Sequence, residues 1–219
     1  MKKIIFITLS GLFIGGIIFI NFFVMNKSIN IEKVKDSIVI IIPENKLISY
    51  KNNPIGIFEE YKESGIGAGF FFESNGTIQT VNHLVEDDNI KYKVIYKNIE
   101  YDAEILSRNK EKDLAIIKII ANESVIFPRL TNVGRTLGHR GGANEIYNFG
   151  VDMKDLSITY NTGIIINEKS KLDNMSNLLE ISNNLKQGFS GGPIIDSKGN
   201  VIGINYAISN GKNYGIALY

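Results

Sequence analysis

From Ser37 onward the chain runs as short stretches of β-branched and aromatic residues, each closed within a few positions by Gly, Asn or Asp. That punctuation leaves little room for long helices and points to an all-β barrel. Residues 37–42 (Ser-Ile-Val-Ile-Ile-Ile) form a buried strand closed by Pro43. Residues 70–73 lead into Ser74-Asn75-Gly76-Thr77, a strand and hairpin turn whose Asn-Gly pair supplies positive φ. Residues 90–96 and 100–106 alternate as paired strands around Lys97-Asn98, and residues 196–200 make another hairpin. No internal repeat is visible.

Chemistry concentrates in Gln187-Gly188-Phe189-Ser190-Gly191-Gly192-Pro193. A serine set among glycines suits a nucleophile, because the tight backbone can aim main-chain N–H groups at an oxygen beside the hydroxyl. The chain has only two histidines, and one lies in Thr80-Val81-Asn82-His83. Between His83 and the serine, Asp113 opens the apolar run Leu114-Ala115-Ile116-Ile117. Taken singly, Ser190 could be a flexible turn, His83 a satisfied buried histidine and Asp113 a strand cap. Together they stand in the order His, Asp, Ser that a trypsin-like triad requires.

On these segments the chain resembles the chymotrypsin-fold serine proteases, most closely the HtrA/DegP-type bacterial branch. Gly65-Ile66-Gly67-Ala68-Gly69-Phe70 through His83-Leu84-Val85 looks like that branch's glycine-rich and histidine segments, Asp113 to Ile119 like its aspartate strand, and residues 188–208 like its serine loop and following strand. The resemblance implies two six-stranded antiparallel barrels within residues 34–219, one about 34–125 and one about 135–219, meeting near residues 122–136. It implies a serine endopeptidase with catalytic His83, Asp113 and Ser190. The backbone N–H groups of Gly188 and Ser190 would form the oxyanion hole. Leu185, Asn205, Tyr206 and Ala207 would line the substrate pocket. No acid stands at the pocket base, so small or medium apolar side chains are the expected substrates. The expected work is cleavage of exported or misfolded polypeptides, without a metal or organic cofactor. The alternative is a catalytically weak or inactive peptide-binding module on the same fold.

Two departures from that branch stand out. Phe189 occupies a position where the family carries a small polar residue, commonly Asn, so it can anchor the loop only by packing. Residues 213–219 look like the last barrel strand, after which HtrA relatives continue into PDZ domains; a protease without a PDZ domain is expected. His139, in a Gly-rich loop, reads as an exposed loop residue, and Glu86-Asp87-Asp88 as a solvated turn lacking the spaced ligands of a calcium loop. The Gly65–Gly69 run leads into a strand rather than a helix, which rules out a nucleotide loop.

Residues 4–25 are apolar, with Lys2 and Lys3 before them. The run exceeds the ~7–15 residues of a signal-peptide core and approaches the ~20 that span a bilayer. No Ala-x-Ala-like cleavage site precedes Asn26. Residues 1–25 are therefore expected to be a signal anchor and transmembrane helix, residues 26–33 a short polar tether, and the catalytic domain extracytoplasmic. Secretion after signal-peptide cleavage is the alternative. Lys27, Lys33 and Lys35 beyond the span pull against the orientation set by Lys2 and Lys3. The formal net charge is only +1, from 24 basic and 23 acidic residues, which disfavours nucleic acid as a partner. With no cysteine, thiol catalysis and disulfide stapling are excluded. Oligomeric state is not legible.

Overall fold

In a computed structural model the chain is described over residues 29–52, 65–122, 124–130 and 145–218. The anchor expected at residues 1–25 and His139 lie outside those residues. Among the described residues no helix is long and apolar enough to cross a membrane.

Twelve strands form two closed antiparallel barrels. The first holds β1 (Ile38–Pro43), β2 (Gly67–Phe71), β3 (Thr77–Val81), β4 (Tyr92–Tyr96), β5 (Ile99–Asn109) and β6 (Leu114–Ile119). The second holds β7 (Glu145–Asp152), β8 (Ser157–Leu172), β9 (Met175–Ile181), β10 (Pro193–Asp196), β11 (Val201–Ser209) and β12 (Lys212–Ala217). Around the first barrel the order is β1-β2-β3-β6-β5-β4, and the second repeats it as β7-β8-β9-β12-β11-β10. The topology is thus duplicated although the sequence shows no repeat, because a barrel asks only for alternation and turns in the right places.

Local chemistry fixes the registers. Lys97 (φ 49) and Asn98 (φ 62) both take left-handed conformations, so the expected turn closes β4 onto β5 as a two-residue hairpin. In the residue 73–76 turn, Gly76 alone carries positive φ, while Asn75 accepts bonds from the Thr77 N–H and hydroxyl. All six residues of β1 are buried, since one face fills its barrel and β1 also lies against β7 and β8. Each fully buried Ile in such a strand contributes about 1.5–3 kcal/mol.

Two short helices break the all-strand expectation. α1 (Ile31–Lys35) begins inside the segment read as a tether. Asn30 caps it by accepting from Lys33 N at 3.0 Å, and Val34 packs into the first barrel's core. α2 (Glu44–Asn52) follows β1 and buries Leu47.

Candidate active site

His83 sits in a single 3₁₀ turn, Asn82–Leu84, directly after β3. Asn82 and Leu84 are buried on either side of it, so the turn is anchored and the imidazole between them keeps 38% of its side chain exposed. Asp113 precedes β6 with φ +48, a left-handed conformation that Asp and Asn visit more readily than most residues. One carboxylate oxygen lies 2.6 Å from His83 Nδ1, and the other accepts the His83 backbone N–H at 2.8 Å. The Asp113 carbonyl takes the Asn82 N–H at 3.0 Å. A buried carboxylate thus fixes both the ring and the backbone of one histidine. An acceptor at Nδ1 holds the ring proton there and turns the Nε2 lone pair outward.

The serine loop is held from both barrels. The Ser190 carbonyl accepts the Ala68 N–H of β2 at 2.8 Å. A Cβ at Gly67 would stand 2.6 Å from that oxygen, so the close approach requires glycine. On the other side the Gly188 carbonyl accepts from Val151 N at 2.9 Å. Gly191 N donates to the Asn205 carbonyl at 3.0 Å, and Asn205 N donates to that of Gly192 at 2.9 Å. Within the loop Phe189 N donates to Lys186 O and Gly192 N to Phe189 O. The hydrogen bonds among the described residues engage neither the Gly188 N–H nor the Ser190 N–H. Gly188 has φ +90, and a Cβ there would strike the Val151 carbonyl. Among the described residues no hydrogen bond joins Ser190 to His83; such contacts tighten in many enzymes only when substrate docks.

Phe189 is 4% exposed and packs with Ile146, Leu179, Ile181, Leu185, Ile194 and Ile202 inside the second barrel. The side chain anchors the loop by packing. A polar pair supports it from behind, and sequence reading missed half of that pair. Asn205 is fully buried, donates through Nδ2 to the Phe149 carbonyl at 2.8 Å, and accepts from Asn148 Nδ2. Its side chain is committed to β7 rather than free for substrate. Asn148, a fully buried polar residue inside the apolar strand β7, was the available signal.

A cavity of about 150 Å³ opens beside Ser190. Leu185, Asn205, Tyr206 and Ala207 line it together with Lys186, Gln187, Phe189 and Ile208. Ile208, 56% exposed, was not anticipated. No carboxylate lines the cavity among the described residues. Leu185 is pinned through its N–H to Asn213 Oδ1 at 3.1 Å. The Tyr206 ring lies 6.4 Å from that of His83. Burial pushes the Tyr206 phenol up, and the charges of Asp113 and Asp173 push it further. No group of carboxylates and histidines fit to hold a metal occurs among the described residues.

The profile of the trypsin-like peptidase domain matches residues 67–204, from β2 into β11. The chain belongs to that family. Its similarity to curated proteins points the same way. It is 31% identical over 163 residues to the magnetosome formation protease MamE of Paramagnetospirillum magneticum, covering 69% of this chain and 21% of that protein. It is 29% identical over 214 residues to the probable periplasmic serine endoprotease DegP-like of Rickettsia prowazekii, covering 89% of this chain and 39% of that one. The chain therefore spans well under half the length of these relatives. The crystal structure of Deg5 superposes with a TM-score of 0.66 over 85% of each chain at 21% identity, a likeness of fold. These findings support a serine protease.

Proposed function

We propose that the chain is a serine endopeptidase acting on polypeptides through His83, Asp113 and Ser190. The observation that carries this reading is the bonding at the junction of the barrels: the Asp113 carboxylate grips His83 twice, and Ser190 is tied to Ala68 of that barrel. A serine hydroxyl is a poor nucleophile at neutral pH and needs a base. His83 Nε2 takes the Ser190 proton as Oγ attacks the scissile carbonyl carbon, and Asp113 stabilises the imidazolium. The negative oxygen that develops is met by the Gly188 and Ser190 N–H groups. His83 then returns the proton to the departing amine, and water hydrolyses the acyl-enzyme by the same route. The cavity beside Ser190 takes a small or medium apolar side chain, with Leu185 in its wall and Ile208 at its rim.

The catalytic domain is anchored to a membrane by residues 1–25 and works outside the cytoplasm on exported or misfolded proteins. The apolar run behind Lys2 and Lys3 supports the anchor, and "periplasmic" in the names of DegP-like relatives supports the compartment. The full chain in detergent, treated with a fluorophosphonate probe beside a Ser190→Ala control, tests the chemistry. Labelling that depends on Ser190 is expected. A folded chain that binds peptide in the cleft and stays unlabelled would be a peptide-binding module instead.

A further inference from the structure

The end of the first barrel opposite His83 carries large apolar side chains that the protein leaves in water. Ile126 is 83% exposed, Ile120 60%, Ile99 55% and Val125 39%. Scattered surface apolar residues are ordinary, but several at one end of a small barrel mark an interaction site. Strand direction gathers them. β2, β4 and β6 end where β1, β3 and β5 begin, whereas His83 follows β3 and Asp113 precedes β6 at the other end. Ile99 opens β5, and Ile120 leaves β6 with its N–H on the Asp102 carbonyl at 2.7 Å. Val125 and Ile126 come just before Phe127, whose N–H bonds to the Ser74 carbonyl at 3.0 Å. The Phe127 ring turns inward, stacked 4.8 Å from Phe71 and edge-on to Tyr96 at 5.8 Å, while Ile126 faces out.

The chain also enters the domain at this end. α1 leads into β1, its C-cap Asp36 pairs with Lys97 at 3.3 Å, and the Ser37 carbonyl accepts from Phe71 N at 2.9 Å. Ile29 and Ile31 already pack on the core, and the apolar run ends at Met25. The link from Met25 through residues 26–28 to Ile29 reaches only ~13–14 Å even fully extended, at roughly 3.3–3.6 Å per step. The polar headgroup layer is itself ~5–8 Å thick on each side of a bilayer. So short a link keeps an anchored domain close to the membrane surface, with α1 leading from the anchor to this end.

We propose that Ile99, Ile120, Val125 and Ile126 form a bilayer-contacting surface that seats the first barrel on the membrane holding its own anchor. This rests on the anchor reading of residues 1–25. The catalytic end of the barrel then faces away from the lipid.

The native absence of cysteine makes the test clean. Full-length chains carrying Ile126→Cys, Ile120→Cys or, at the opposite end of the barrel, Glu111→Cys are labelled with an environment-sensitive fluorophore and reconstituted into phosphatidylcholine vesicles. Flotation of the vesicles reads the anchor, and quenching by brominated lipid reads the surface. The expected result is co-flotation with lipid quenching at 126 and 120 and none at 111. Chains that float but show equal exposure at 126 and 111 overturn the surface while the anchor stands. Chains that do not float overturn the anchor and the surface with it. A label at 126 that is shielded yet immune to the lipid quencher also overturns the proposal, in favour of a second copy covering this end.

Discussion

Asn205→Val is expected to cripple the site from within the second barrel, and adding Asn148→Val is expected to repair part of the damage. Both side chains are fully buried in strands, where Val is close in size and well accommodated. Alone, Asn205→Val strips the Phe149 carbonyl and Asn148 Nδ2 of their partner. Each orphaned buried group costs about 1–3 kcal/mol, so the variant should lose about 2–6 kcal/mol. Asn148→Val orphans only Asn205 Oδ1, a loss of about 1–3 kcal/mol. The double variant orphans only the Phe149 carbonyl and should also lose about 1–3 kcal/mol, making it more stable than Asn205→Val alone. Urea unfolding of the four proteins closes the cycle. The rate of Ser190 labelling should follow the same order, because the Asn205 backbone holds Gly191 and Gly192 in place. Additive losses, within about 0.5 kcal/mol, would refute the idea that the pair acts as a unit.

Gly188→Ala should lower kcat by about 10²–10³, because the loop must move away from the Val151 carbonyl and takes an oxyanion donor with it. Gly199→Ala, at φ +85 with nothing within 4 Å of its Cβ, is the control and should cost stability of about 1–3 kcal/mol while leaving peptide hydrolysis intact. Asp113→Asn should keep the fold, since Asn tolerates φ +48, and reduce kcat by about 10⁴ through the wrong histidine tautomer. A soluble, folded Asp113→Asn protein with near-native kcat would remove Asp113 from the mechanism. Burial and negative charge both disfavour phenolate, so Tyr206 should ionise above the usual tyrosine range. Neutralising Asp113 should lower that value more than neutralising Asp173 does, in phenolate absorbance titrations referenced to Tyr206→Phe.

The strand frame could be read from sequence because its signals are local: β-branched runs, the Lys97-Asn98 turn, and Gly76 and Gly199 at positive φ. α1 and α2 escaped because they are short and neither shows a clear apolar stripe in sequence. The candidate triad was visible in the order of three residues, although nothing in that order says how tightly Asp113 binds His83. The resemblance put Asn205 among the pocket-lining residues, and it does border the cavity. That its side chain also bonds Asn148 and the Phe149 carbonyl depends on which face of β11 meets β7, which no local pattern reveals. That Phe189 could anchor its loop only by packing was legible, but not the cluster that receives it, which comes from segments far apart in the chain.

The single bond from Ala68 to the Ser190 carbonyl has a consequence for the cell that makes this protein. It joins the two halves of the molecule at the proposed nucleophile itself. A half-built chain emerging from the ribosome, or one whose halves have come apart, holds the histidine in one piece and the serine in another. On the proposed mechanism, hydrolysis therefore waits for both halves to be joined, and it stops whenever they part.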